Sequence, residues 1–151
     1  MAQKIKVYVP MNSTPLQEKF VNYILRRGKK GVARRIFSET LQEMAKRGAN
    51  NPDKTFETAI TNIKPTLEVR PKRIAGAVYQ IPIEVTPRRQ QMLAFRWILD
   101  SAKAKKGKTM ADRLAGEIME AAEGVGNAIK KREDSHKMAA ANKAFAHFAR
   151  Y

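Results

Sequence analysis

Thr66-Leu67-Glu68-Val69-Arg70-Pro71-Lys72-Arg73-Ile74-Ala75-Gly76-Ala77-Val78-Tyr79-Gln80-Ile81-Pro82-Ile83-Glu84-Val85 is where the apolar period of this chain changes from helical to two. Leu67 and Val69 alternate with Glu68 and Arg70, while Tyr79, Ile81, Ile83 and Val85 alternate with Gln80, Pro82 and Glu84. Residues 66–85 therefore predict two strands around a tip near Gly76. Pro71 and Pro82 cannot donate to a ladder and are tolerated on edge strands; in a two-stranded ribbon both strands are edges, so the stretch reads as a hairpin and not as part of a larger sheet. Such a ribbon is marginal alone in water and needs something to lie against.

Outward from the ribbon the pattern is helical on both sides. Thr14-Pro15-Leu16-Gln17 reads as an N-cap, a first-turn proline and a capping-box glutamine, opening a helix that ends near Gly28. The next helix carries Ala33, Ile36, Phe37, Leu41 and Met44, with Thr40 between, on one stripe, and Gly48 ends it. Asn51-Pro52 starts a third through Phe56, Ile60 and Ile63, and Pro65 stops it. Thr86-Pro87 opens a fourth through Met92, Phe95, Leu99 and Ala102. Thr109 and Asp112 have capping-box spacing for a fifth, ending at Gly124. A sixth spans roughly residues 130–150. The expected fold is mainly α: a single-domain bundle of about six helices over residues 1–151, with a 1–13 N-terminal arm and a projecting 66–85 ribbon.

A net charge of +16 over 151 residues coexists with 43% hydrophobic content. A chain this basic would stay disordered if apolar residues were scarce; here there are enough to close a core, so the charge rides on a folded scaffold. The absence of cysteine excludes a disulfide framework and thiolate metal sites. Met1 to Ser13 lacks the apolar run of a secretory signal, and no window approaches a membrane span. The expected partner is nucleic acid.

The charge is clustered. Arg26, Arg27, Lys29, Lys30, Arg34 and Arg35 fall together with no acid among them, and Gly28-Lys29-Lys30-Gly31 is a short turn through which backbone and ammonium groups approach phosphates. The ribbon adds Arg70, Lys72 and Arg73 before its tip, and Arg88 and Arg89 follow its return. Arg89, Arg96 and Lys103 recur every seven residues, within about 40° on one helical face. In the last helix Arg132, His136, Lys143, His147 and Arg150 are expected on one face, opposite Met138, Ala141, Phe145 and Phe148. The fifth helix, with Asp112, Glu117, Glu120 and Glu123, reads as a solvent-facing or protein-facing side.

Catalytic and cofactor chemistry finds little support. His136 and His147 would stand about 16 Å apart along one helix, too far to share a metal or a proton relay. Gly124-Val125-Gly126 lacks the third glycine of a dinucleotide fingerprint and follows no strand, and the glycines around Lys29 lack P-loop spacing. No enzyme activity, metal or cofactor is expected. Phe20, Phe37, Phe56, Phe95, Phe145 and Phe148 read as packing; Tyr79, near the tip, is the one aromatic considered for a base contact, so recognition of folded RNA by shape and phosphate is favoured. The alternative is a DNA-binding regulator using the fifth and last helices as a helix-turn-helix with Gly124 in the turn.

Several stretches taken in order resemble one family: Arg27-Gly28-Lys29-Lys30, the ribbon, Arg96-Trp97-Ile98, and Lys130-Lys131-Arg132-Glu133-Asp134-Ser135-His136-Lys137-Met138 running to Ala141-Asn142-Lys143-Ala144-Phe145-Ala146-His147. From about Leu16 onward the chain is similar to the small-subunit ribosomal protein seven family of bacterial and organellar type. The resemblance implies a non-enzymatic structural constituent of the small ribosomal subunit. It would be a primary binder of 16S-type ribosomal RNA, organising the 3′ major (head) domain near the exit-site tRNA and the mRNA path. Neighbouring small-subunit proteins of the head and platform would be further partners, with no membrane. The location would be the bacterial cytoplasm on the ribosome, or an organelle interior. Ribosomal-RNA contacts would fall on Arg27, Lys29, Lys30, Arg34, Arg35, Arg70, Lys72, Arg73, Arg88, Arg89, Arg96 and Lys103. Gly76, Tyr79, Lys143, His147 and Arg150 would lie near tRNA and message. The family's basic N-terminal arm is represented here only by Lys4 and Lys6, and Ala75 stands where a second tip glycine is common.

Overall fold

A computed structural model describes residues 10–150; residues 1–9 of the expected 1–13 arm, Lys4 and Lys6 among them, lie outside the described residues. Six α-helices, a two-stranded ribbon and a C-terminal 3₁₀ helix follow in the order α1 (Pro15–Ile24), α2 (Lys30–Lys46), α3 (Pro52–Ile63), β1 (Leu67–Ile74), β2 (Ala77–Glu84), α4 (Pro87–Ala104), α5 (Met110–Ala122), α6 (Asn127–Ala141) and the 3₁₀ helix Lys143–Arg150.

The capping signals act as the sequence predicts at most starts. At α1 the Thr14 hydroxyl accepts from Gln17 N at 3.3 Å while Gln17 Oε1 accepts from Thr14 N at 3.2 Å, a complete capping box. Asn51 caps α3 through Lys54 N, and Thr109 caps α5 through Asp112 N. Thr86 makes no side-chain cap bond at α4.

Phe20, Phe37, Phe56 and Phe95 meet at ring-centroid distances of 5.1 to 5.6 Å, joining α1, α2, α3 and α4. Such tilted pairs add about 0.5–1.5 kcal/mol each beyond the area they bury. The fifth helix corrects the sequence expectation. Leu114, Ala115, Ile118 and Ala121 are fully buried, and α5 packs on α2, α3, α4 and α6. Its acids misdirected the reading because they serve the fold: Glu117 has no exposed surface, pairs with Lys105 Nζ at 3.0 Å, and accepts from Ala128 N at 2.9 Å, capping α6 from outside. Gly126, the N-cap of α6, has φ +98, and a Cβ there would stand 3.0 Å from Glu120 Oε2.

The ribbon is antiparallel, with Val69 opposite Pro82, Pro71 opposite Gln80 and Lys72 opposite Tyr79; Ala75 and Gly76 form the tip, both at positive φ. This register sets Leu67 and Val69 on the face away from Tyr79, Ile81 and Ile83. The ribbon finds its support on α6 and the 3₁₀ helix. Thr66 N donates to His136 Nε2 at 3.0 Å, and the Ser135 hydroxyl donates to the Leu67 carbonyl at 3.3 Å. His136 is thus a tie between α6 and the base of the ribbon.

The last helix is also corrected. α6 ends at Ala141, where the Asn142 side chain donates to the Met138 carbonyl at 2.8 Å and competes with helix continuation. In the 3₁₀ geometry that follows, residues three apart eclipse, so Phe145 and Phe148 stand on one side and close on Tyr79 at 5.2 and 5.4 Å. The expected common face of Arg132, His136, Lys143, His147 and Arg150 therefore does not form.

Candidate nucleic-acid interface

The basic turn between α1 and α2 is built tightly. Lys29 N donates to the Arg26 carbonyl at 3.1 Å, and the two residues enclosed, Arg27 at φ 52 and Gly28 at φ 71, are both left-handed. Arginine in that region costs about 1–2 kcal/mol. The result is that Arg26, Arg27 and Lys29 are all exposed beside the start of α2, where Lys29 makes no side-chain cap bond. Lys30 N donates to the Gly28 carbonyl at 2.9 Å, and the positive end of the α2 dipole lies beside these cations, a favourable setting for an anion.

Two neighbours in that cluster have a partner that sequence distance concealed. Glu18, from α1, is 2% exposed, and Arg34 Nη2 reaches its Oε2 at 3.1 Å with Lys30 Nζ at 3.7 Å. Lys30 and Arg34 therefore help to hold α2 on α1. Arg35 stands on the open side of α2, 3.9 Å from Glu39, a surface pair worth little.

The other expected contacts divide in the same way. Arg89 Nε donates to both Glu68 carboxylate oxygens at 3.1 Å, fixing α4 to the ribbon. Lys72 Nζ donates to the Phe148 carbonyl at 3.3 Å. Arg70, Arg73, Arg88, Arg96 and Lys103 are exposed, and none has a carboxylate of the described residues within ion-pair distance. Arg70 and Arg73 are three positions apart on β1 and so serve opposite faces of the ribbon.

At the far end, Gly76 is exposed at the tip. Tyr79 is half-buried between Phe145 and Phe148, so its ring is already engaged. Lys143, His147 and Arg150 are exposed on the 3₁₀ helix; His147 Nδ1 lies 3.0 Å from the Ala144 carbonyl, and its ring lies against Phe148 at 4.0 Å.

One feature escaped the sequence reading. Lys19, Asn22 and Tyr23 share one face of α1, and Arg88, Gln91, Met92 and Phe95 share one face of α4; together they line a groove of about 440 Å³. The i, i+3, i+4 spacing was present in both segments, but only packing reveals that the two faces meet.

A helix-turn-helix needs its helices accessible, and α5 is the buried centre of the bundle. Among the described residues no helix is long and apolar enough to cross a membrane, and no group of three or more His, Cys, Asp or Glu could hold a metal ion.

Comparison with known proteins places this surface in context. A family model described as Ribosomal protein S7p/S5e matches residues 2–143. The chain is similar to the small ribosomal subunit protein uS7 of Solidesulfovibrio magneticus, 48% identical over 139 residues covering 92% of this chain and 89% of that protein. It is 50% identical to uS7 of Chromohalobacter salexigens over 130 residues, 86% of this chain and 83% of the relative. With uS7 of Francisella tularensis subsp. holarctica the identity is 49% over 140 residues, 92% and 89% of the two chains.

Proposed function

This chain belongs to the ribosomal protein S7p/S5e family and is a structural, ribosomal-RNA-binding protein of the small subunit; on that premise we propose how it grips RNA and what its two ends do. It organises the head (3′ major) domain of a 16S-type ribosomal RNA chiefly through phosphate contacts. The turn Arg26–Lys29, the uncapped start of α2 and Arg35 form the anchor, and Arg88, Arg96, Lys103, Arg70 and Arg73 extend it. Lys30, Arg34, Lys72 and Arg89 serve RNA second, through the cations they hold in place. Residues 1–151 act as one RNA-binding unit, a reading supported, for the described residues, by a buried cluster drawn from α1 to α6. The ribbon tip at Gly76 and the exposed Lys143, His147 and Arg150 lie toward exit-site tRNA and message, beside neighbouring proteins of the head and platform. The ribosome that holds it is of bacterial type, in a bacterial cytoplasm or an organelle.

The observation that carries this reading is the turn itself: Arg27, at φ 52, stands in a turn that sets three exposed cations beside the start of α2. The test is the combined variant Arg27→Ala, Lys29→Ala, Arg35→Ala bound to a head-domain ribosomal RNA fragment. Parent affinity should fall linearly in log–log form with salt, with a slope of about 0.7 to 0.9 per phosphate contact, and the variant should lose about three contacts' worth of slope while melting like the parent. An unchanged slope would place the anchor elsewhere.

A further inference from the structure

We propose that the groove between α1 and α4 holds one unstacked nucleotide of the bound RNA, its base against Tyr23 and its phosphate against Arg88 and Lys19. The inference rests on the RNA-binding reading and deepens it, turning a phosphate-gripping surface into one that also takes a base.

The aromatic core reaches the surface in this groove. Tyr23 is 38% exposed, and its ring is braced by Phe95 at 5.3 Å and an interplanar angle of 65°, Phe95 in turn lying 5.1 Å from Phe20. A ring braced by Phe95 and more than a third exposed is a platform that loses little entropy when a base stacks on it. Across the groove Met92 is half-buried and offers a soft, polarizable thioether. The volume of about 440 Å³ lies in the range of small-ligand sites.

The polar lining selects among occupants. Lys19 and Arg88 are exposed, and neither has a carboxylate of the described residues within ion-pair distance. Arg89 also lines the groove, but its charge is paired with Glu68, so the free cations of the lining are Lys19 and Arg88. Asn22 and Gln91 supply amide groups able to meet the donors and acceptors of a base edge. Among the described residues no acid lines the groove. A flat π-face, amides at its edge and cations around it match a nucleotide; an apolar peptide segment would have no use for the cations.

The experiment uses the full chain and a head-domain ribosomal RNA fragment carrying 5-iodouridine, with affinity measured across a salt series. Tyr23→Ala should weaken binding about 10- to 100-fold at every salt concentration, leaving the salt slope unchanged, because stacking is not a counterion effect. Tyr23→Phe should keep parent affinity within about threefold, since the stacking face survives. Arg88→Ala should lower the slope by about one contact, roughly 0.7 to 0.9. Irradiation of the parent complex should cross-link RNA to the peptide containing Tyr23. A folded Tyr23→Ala protein with parent affinity, or equal losses in the alanine and phenylalanine variants, overturns the proposal. If Tyr23→Ala does not fold, absence of the parent cross-link overturns it instead. Failure of the parent to bind the fragment in a salt-dependent way would strike the RNA-binding reading itself, a separate outcome.

Discussion

Arg34 Nη2 donates to Glu18 Oε2 at 3.1 Å, across 16 positions of sequence and from a half-exposed guanidinium to a carboxylate only 2% exposed. Glu18 spends its charge in the interior, so the cations over it are structural groups that lie beside an RNA-facing turn. A basic cluster that contains no acid in sequence therefore acquires one in space.

Arg34→Ala should cost about 1–3 kcal/mol of stability, the range for leaving a buried polar group short of a partner, with Lys30 at 3.7 Å limiting the loss. Lys29→Ala, at an exposed position, should change stability by less than about 0.5 kcal/mol. Denaturant unfolding of the two variants makes the comparison, and equal stabilities would mean that Glu18 is adequately solvated without Arg34.

Lys105 bridges Glu117 at 3.0 Å and Glu120 at 2.9 Å. Burial works to lower its pKa, but the hydrogen bonds and charges of Glu120 and Glu117 together outweigh this and raise it above the ordinary 10.5. Its stabilising contribution is therefore complete below pH 10.5 and is lost as pH rises through the raised folded value. Lys105→Met strands Glu117, which has no exposed surface, and should cost about 3 kcal/mol at pH 7, the low end for breaking a buried pair. The gap between parent and variant should narrow above pH 10.5 in urea titrations; a gap constant with pH would mean that the ammonium charge is not the stabilising agent.

Gly126→Ala meets two obstacles, φ +98 and a Cβ only 3.0 Å from Glu120 Oε2 and 3.1 Å from its Cβ. Gly124→Ala meets one, φ +79 in open space. The left-handed penalty alone is about 1–2 kcal/mol, so Gly126→Ala should exceed Gly124→Ala in thermal melts. It should also loosen the Glu117 cap on Ala128, seen as faster amide exchange at the start of α6.

The elements legible in sequence were those whose signal is local. Prolines, caps and the period-two run place the ribbon and the first four helices, because each depends on neighbours within a turn or a strand. The fifth helix was misread since Glu117 looks like part of a solvated face until Lys105 and the start of α6 close over it, while Glu120 stays half-exposed. The last helix was misread because Phe145 and Phe148 fit helical spacing as well as 3₁₀ spacing, and only contact with Tyr79 distinguishes the two. Among the cations, local charge density found the turn but could not separate Arg34 and Arg89, consumed by Glu18 and Glu68, from Arg35 and Arg88, left outward. Tyr23 was missed for the same reason: its groove exists only where two helices meet.

The ribbon's dependence on the C-terminal segment gives the last prediction. Two prolines leave the hairpin with fewer ladder donors than its length implies, and its inner face is covered by Phe145 and Phe148 on Tyr79, with Lys72 reaching the Phe148 carbonyl. These contacts lie apart from the buried cluster of α1 to α6. Phe148→Ala removes a ring contact worth about 0.5–1.5 kcal/mol together with the apolar area it covers. The loss should fall on the ribbon alone: amide exchange in β1 and β2 near the tip accelerates, while the helical core melts close to the parent temperature. Lys143→Ala, exposed and bonded to nothing in the ribbon, should change neither. If the tip handles exit-site tRNA, subunits carrying Phe148→Ala should assemble yet release that tRNA at an altered rate, because the ribbon arrives at its target less well held. A uniform drop in protection across the helices would show instead that the 3₁₀ helix stabilises the whole fold, and parent-like exchange in the ribbon would show that α6, through His136 and Ser135, supports it unaided.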